Sequence, residues 1–362
     1  MLRTHGGRAP QSIIDFSSPQ NPLGPPQIIV EAVWEVVESK AYTRYPDYEY
    51  RDLREVLADY YNLLADYYNL DSDLIVPLNG AAEALNLIVI AVKPEKIITF
   101  EPTFGDNRLY SIALNTPWVT LPYMIMDQRF NLDPRILCEM PVEYRRRALV
   151  ILSNPNNPTG YLASRSIVES ITECIIEGIL VVDEAFADFT LNTESLLWGS
   201  YDEIVVLRSL TKILSIPGLR LGFLYTVDRR LAKVIDSLRQ PWNINIIASK
   251  ALTRALRDKE ALKSYINECV RIIEDERVYL SWELRKLNIK VYDSKAPFIP
   301  VEHPAPHPIF NNILTKMGVY VRDASSFQYL TPYNSRVSVR LRGDNIRLVE
   351  AFRYAVEAYR GV

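Results

Sequence analysis

Cysteine and histidine are scarce. The 362-residue chain carries three of each, Cys138, Cys174 and Cys269, and His5, His303 and His307. Cysteines so widely spaced suit neither a disulfide framework nor a thiolate metal cluster, and three scattered histidines leave little from which to assemble a zinc site. Long apolar runs are missing too: none reaches the roughly 18 residues that span a bilayer. The opening Met1-Leu-Arg-Thr-His-Gly-Gly7 lacks the apolar stretch of a secretory signal. Nor is there charge of one sign. Forty-one Lys and Arg against 44 Asp and Glu leave a net −3, which gives no electrostatic reason to expect nucleic acid or an anionic membrane as partner. No G-x-G-x-x-G occurs, so the fingerprint of a dinucleotide-dependent oxidoreductase is absent. These absences together predict a cytoplasmic enzyme without a metal.

What remains is an ordinary globular composition, 48% hydrophobic and 23% charged, on a chain long enough for two domains. Residues 1–30 are rich in Pro, Gly, Ser and Gln and end in Asn21-Pro-Leu-Gly-Pro-Pro26, which predicts an extended arm with turns. Helical patterns follow over 27–39 and 49–69. In the second, Leu57-Ala-Asp-Tyr-Tyr-Asn-Leu63 is repeated at once as residues 64–70. A seven-residue repeat keeps its apolar positions nearly in phase, so the duplication is expected to lengthen the helix by about two turns. From residue 74 to 223 strand-like runs (96–100, 148–152, 179–183, 204–207, 221–225) alternate with amphipathic stretches such as 81–92 and 164–177. That alternation predicts an α/β unit, a mainly parallel sheet sandwiched by helices. Residues 229–287 read as mostly helical, with one continuous segment over 259–287. The remainder mixes short strands (289–292, 318–321, 336–340) with helices and reads as a smaller α+β unit packed with the N-terminal arm. The expected division is 40–240 for the large domain and 1–39 with 241–362 for the small one.

The chemistry concentrates in Ser209-Leu-Thr-Lys-Ile-Leu-Ser-Ile-Pro-Gly-Leu-Arg220. Lys212 comes just past an apolar strand, where α/β proteins bind ligands. Ser209 and Thr211 flank it with hydroxyls, and Arg220 follows across a Pro217-Gly218 turn. Four other stretches fit the same pattern. Asn79-Gly-Ala-Ala-Glu83 opens a helix, whose free N–H groups at Ala81 and Ala82 and whose dipole suit a phosphate. Phe104 follows the 96–100 strand in Glu101-Pro-Thr-Phe-Gly105, and Asn157 lies in Asn154-Pro-Asn-Asn-Pro-Thr-Gly160. Asp183 closes an apolar strand, where a carboxylate is costly to desolvate without a partner; a helix N-cap is the other reading of it. The order small-residue turn, aromatic, Asn-Pro-Thr-Gly, strand Asp, Lys, Arg resembles the fold type I (aspartate-aminotransferase fold) pyridoxal-phosphate enzymes over nearly the whole chain. The resemblance implies that Lys212 holds pyridoxal 5′-phosphate as a Schiff base and that Ser209, Thr211, Arg220, Ala81 and Ala82 hold its phosphate. It further implies that Phe104 stacks on the pyridine ring, Asn157 donates to the phenolic oxygen and Asp183 pairs with the ring nitrogen.

Within that family, Asn21-Pro-Leu-Gly24, Tyr45-Pro-Asp47 and the C-terminal arginines resemble the branch of histidinol-phosphate aminotransferases and L-threonine-O-3-phosphate decarboxylases. Four features lean to the decarboxylase: His5-Gly-Gly7, the 209–220 block, Arg322-Asp-Ala-Ser-Ser-Phe327, and Phe186 where the aminotransferases of the branch usually carry a tyrosine. The resemblance implies Arg336 for the substrate carboxylate, Arg322 for a substrate phosphate, and Gly24, Asn157 and His5 at the substrate. It implies a homodimer in which Tyr45 reaches the cofactor phosphate of the neighbouring subunit. Arg340 and Arg342 compete for the arginine roles. Decarboxylation and transamination differ by which bond to Cα stands perpendicular to the cofactor ring, and both stay open here. A cofactor-sensing regulator is a third reading, disfavoured by the lack of a basic extension.

Overall fold

Seven strands of four to six residues lie side by side in the order Ile75–Leu78, Gly222–Tyr225, Ile204–Ser209, Ile179–Asp183, Ala148–Ser153, Lys96–Glu101, Trp118–Pro122. Gly222–Tyr225 runs antiparallel to both of its neighbours, and the other pairings are parallel. In the computed structural model, residues 5–64 and 69–360 are described. The central strands Ala148–Ser153 and Ile204–Ser209 are buried along their whole length, as expected of parallel strands covered on both faces. One face packs Val205, Leu207, Leu149 and Ile151 against Leu85, Ile88 and Val89 of the helix Ala81–Val92. The other carries Ile204, Val206, Val150 and Leu152 into a core with Tyr60 and Tyr61 of the helix Arg51–Leu63.

A four-stranded antiparallel sheet follows, ordered Lys290–Val291, Phe298–Glu302, Asn334–Ser338, Arg322–Asp323. It is accompanied by the helices Lys259–Lys286, His307–Lys316 and Arg342–Arg360. The N-terminal arm joins this part of the chain, since Ile14–Asp15 pairs in parallel with Val319–Tyr320. Among the described residues no helix is long and apolar enough to cross a membrane.

Two expectations are corrected. The helix bearing the first heptad copy ends at Leu63, with Leu64 in a turn. Residues 65–68 of the second copy lie outside the described residues. Its end folds back on the first: the Asn62 side chain accepts the Leu70 N–H at 2.7 Å and donates to Asn69 Oδ1 at 3.1 Å, and Leu70 is buried. A helix simply continued over 64–70 would carry Leu70 about two turns away from Asn62, so the duplication does not lengthen the helix. The cysteines also depart from expectation, because Cys138 and Cys174 form a disulfide with Cα atoms 4.8 Å apart. They are 36 residues apart in sequence and meet because the short helix Arg135–Cys138 packs against Arg165–Cys174.

Candidate active site

The carboxyl ends of the parallel strands converge on a cavity of about 940 Å³. Asp183 and Ser209 are the last residues of their strands. Asn157 lies in the turn after Ala148–Ser153, and Phe104 lies just past Lys96–Glu101. Gly80, Ala81 and Ala82 come just after Ile75–Leu78. All of these line the cavity, together with Thr211, Lys212, Arg220, Arg322, Arg336, His5 and Phe186. Residues far apart in sequence are thus brought to one sheet edge, the place where open α/β sheets bind ligands.

One end of the cavity is built for an anion. The N-terminal N–H groups of Ala81–Val92 open on it, with Gly80 at the N-cap at φ 77°. A Cβ on Gly80 would lie 2.6 Å from Arg220 Nη2, so only glycine lets the guanidinium lie against this turn. The Ser209 and Thr211 hydroxyls are 2.8 Å apart on the same side. Backbone donors, two hydroxyls and one arginine make a phosphate cup.

Beside the cup lies Lys212, in the one-turn helix Leu210–Ile213. Burial lowers its pKa to about 8, helped by the like charges of Arg220 and Arg336 and opposed by Asp183. Its amine is therefore neutral far more often near pH 7 than that of a surface lysine, the form that attacks a carbonyl. Burial raises Asp183 to about 6, against the Ala185 N–H it accepts and the charge of Lys212. A cation at this carboxylate would restore its ionised form.

At the opposite end two arginines stand side by side on neighbouring strands, Arg322 in register with Arg336. Arg336 is buried; Nη1 donates to Asn157 Oδ1 and Nη2 donates to Ser17 O at 2.7 Å. Its Nε is buried, with no hydrogen-bond partner among the described residues. Desolvation, then Arg322, pulls its pKa down to about 9, so an anion is the stabilising partner for this pair. Arg322 donates to Asp323 O at 2.6 Å and Ser326 Oγ at 2.8 Å, with its guanidinium over the Phe327 ring. The arm supplies His5, whose ring stacks on Phe104 at 5.8 Å and whose Nε2 is 3.4 Å from Asp106.

Two expected residues lie elsewhere. Gly24 is outside the cavity lining, at φ 84°, with its carbonyl accepting from the Tyr265 hydroxyl. Gly24 is thus not among the residues the fold brings to this cavity. Tyr45 is 75% exposed and stacks on Trp242 at 4.2 Å, outside the lining of its own subunit's cavity. Arg340 and Arg342 are also outside the lining, paired with Asp344 and Glu276. Residues the sequence reading passed over do line it: Glu101, Asp106, Arg108, Trp118, Gln328 and the arm segment Ser17, Ser18, Pro19. Glu101 carried the same signal as Asp183, a carboxylate at the end of an apolar strand. The others had no local signal.

Comparison with known proteins bears on this arrangement. The family described as aminotransferase class I and II matches residues 11–352. A protein of Caldanaerobacter subterraneus subsp. tengcongensis, provisionally named threonine-phosphate decarboxylase, is 30% identical, covering 92% of this chain and 88% of its own. Histidinol-phosphate aminotransferase of Methanosarcina mazei is also 30% identical, over 96% of this chain and 89% of its own. Among solved structures, histidinol-phosphate aminotransferase from Clostridium acetobutylicum superposes with a TM-score of 0.84 at 25% identity, covering 96% of this chain and all of its own (100%).

Proposed function

The chain belongs to the class I and II aminotransferase family, whose members use pyridoxal 5′-phosphate, and on that premise we propose that it is an L-threonine-O-3-phosphate decarboxylase. The observation that carries the reading is the pair Arg322 and Arg336, in register on adjacent strands and both facing the cavity. Threonine phosphate presents two anions a few bonds apart, a carboxylate and a phosphate. Histidinol phosphate presents one, and an aminotransferase would meet a second anion on the same molecule only in its dicarboxylate co-substrate. Phe186 adds support: its buried ring rests edge-on against Phe298 at 5.3 Å and offers no hydroxyl to the cavity.

The residues present fit the cofactor. Beyond burial, the charges of Arg220 and Arg336 weigh against that of Lys212, and Arg322 against that of Arg336; a phosphate with a substrate carboxylate relieves that repulsion. Ser209, Thr211, Arg220 and the N–H groups of Ala81 and Ala82 would hold the cofactor phosphate, Lys212 its aldehyde carbon, Asp183 its ring nitrogen, Asn157 its phenolic oxygen and Phe104 its ring face. Bound there, pyridoxal phosphate supplies an electron sink for the bond broken at the substrate's Cα. Asn157 is oriented for its part because Arg336 occupies Oδ1, which turns the amide Nδ2 to other partners. Arg336 takes the α-carboxylate and Arg322 takes the phosphate, with His5 alongside. Together they set which bond to Cα stands perpendicular to the ring. Lys212, with its lowered pKa, moves a proton to or from Cα near neutral pH.

The protein is read as a homodimer in which Tyr45 completes the neighbouring subunit's phosphate cup. A second reading, histidinol-phosphate aminotransferase, is favoured by the relatives of that name. Product analysis separates the two. Incubation with threonine phosphate is expected to release CO2, and incubation with histidinol phosphate plus 2-oxoglutarate to yield little glutamate. The reverse pattern makes the chain an aminotransferase.

A further inference from the structure

Lys212 sits in a helix of four residues, Leu210–Ile213, and a single turn does not hold itself in water. Its carbonyl end is fastened from outside. The backbone N–H of Asn21 donates to Lys212 O at 3.0 Å, and Asn21 Nδ2 donates to Ile213 O at 2.9 Å. Asn21 is itself fixed: it is buried, and its Oδ1 accepts the Leu23 N–H at 2.9 Å. Gln20, next to it, accepts from the Ser215 hydroxyl at 3.3 Å. A few residues back along the arm, Ser17 O accepts from Arg336 Nη2 at 2.7 Å, and Phe16 O accepts the Ser338 N–H at 2.9 Å. One extended segment, 16–21, therefore grips the Lys212 turn at one end and the Arg336 guanidinium at the other. Ser17, Ser18 and Pro19 line the cavity between.

We propose that Asn21 is a positioning residue for Lys212, and that segment 16–21 is a strap setting the separation between that lysine and Arg336. The inference rests on the roles proposed above for those two side chains. A proton moved between the Lys212 amine and a substrate Cα requires the amine to lie at one place relative to the carboxylate on Arg336. A misplacement of about 1 Å can cost about 10²-fold in rate. Asparagine suits the post because it donates to one carbonyl and accepts from one N–H with the same short side chain. Aspartate has the same shape but sets a second acceptor against Ile213 O.

The test compares cofactor-loaded wild type with Asn21→Asp and Asn21→Ala. The expected result is a fall in kcat of about tenfold to a hundredfold, with KM within about threefold of wild type. The pH midpoint of the bound cofactor's absorbance shifts. Hydrogen exchange accelerates at the amides of Leu214, Ser215 and Ile216, which bond to Leu210 O, Lys212 O and Thr211 O, and stays unchanged in strands remote from the cavity. Unchanged kcat and absorbance titration in both variants overturn the proposal. Exchange accelerated throughout the molecule also overturns it, since Asn21 would then serve the fold at large. Borohydride labelling of the wild type keeps the two ideas apart. A label on a lysine other than Lys212 defeats the underlying reading of the site, whereas a label on Lys212 with unaltered variants defeats the role of Asn21 alone.

Discussion

At the residue scale the protein sets two opposed charges against burial. Lys212 is brought down to about 8 and Asp183 is brought up to about 6, so each is poised near the pH at which it exchanges protons. Borohydride reduction of the cofactor-loaded protein, followed by peptide mapping, is expected to leave the pyridoxyl group on Lys212. Asp183→Asn is expected to lower turnover about 10²-fold or more while the cofactor stays bound, because the carboxylate acts through a charge it maintains in a low-dielectric site. Near-normal turnover would reduce Asp183 to the terminus of its strand. The arginines separate by substrate. Arg322→Ala is expected to cost about 10²-fold in kcat/KM on threonine phosphate and little on threonine, whereas Arg336→Ala costs both about equally. Equal losses for Arg322→Ala on the two substrates would remove its phosphate role.

At the scale of elements, the strand Asn334–Ser338 carries Arg336 and is tied to residues 303–307 through two neutral imidazoles. His303 Nδ1 lies 2.6 Å from Ala305 O and must donate there, so its Nε2 accepts from the Ser335 hydroxyl at 3.0 Å. That hydroxyl oxygen in turn accepts from His307 Nδ1 at 2.9 Å. Burial is the main reason that His303 is depressed to about 4 and His307 is lowered. Asp323 and Glu302 oppose the shift at His303 while the His307 charge adds to it; at His307, Asp323 opposes and Arg322 adds. A depressed histidine stabilises the fold in full above its unfolded pKa of about 6.5. The contribution fades as pH falls toward 4, because the unfolded chain takes up protons that the folded one refuses. Urea unfolding is expected to show about 2 kcal/mol lost through His303 between pH 7.5 and pH 5. His303→Gln should flatten that slope; an unchanged slope would show that His303 does not titrate in this window.

Sequence legibility divides along the same line. The helix Ala81–Val92 and the strand Ile179–Asp183 were readable to the residue, because apolar periodicity and β-branched runs are local signals. Lys212, Asp183, Asn157 and Arg220 were read together because their order along the chain resembles the fold type I pattern, and the fold brings all four to one cavity. The His303–Ser335–His307 chain, the grip of Asn21 on Lys212 and the disulfide between Cys138 and Cys174 were not. Each joins segments that only the folded chain brings together, and no spacing announces them. The second heptad copy misled for the opposite reason: its local pattern is helical, and the tertiary tie from Asn62 to Leu70 outweighs it.

For the whole molecule, the exposed aromatic residues bear on assembly. Trp34, Tyr42, Tyr45, Tyr48 and Trp242 are all exposed, from 41% for Trp242 to 75% for Tyr45, and Tyr45 and Tyr48 pack on Trp242. A monomer in water rarely leaves an aromatic cluster such as Tyr45, Tyr48 and Trp242 exposed without a partner, and in a twofold dimer the same patch is used by both copies. Tyr45 lies outside its own cavity, so a role at the cofactor phosphate requires the neighbouring subunit. Mixing two defective chains tests this directly. In a dimer of Lys212→Ala with Tyr45→Ala, a shared site pairs the intact lysine of one chain with the intact tyrosine of the other. The second site then carries both defects. Random pairing makes half of the dimers mixed, so co-expression is expected to restore about a quarter of wild-type activity. The assay is run at limiting cofactor, where loss of one phosphate donor weakens binding about tenfold. If Tyr45 served its own subunit instead, no site in the mixed dimer would hold both intact residues. Activity would then stay at the level expected from the Tyr45→Ala chain alone.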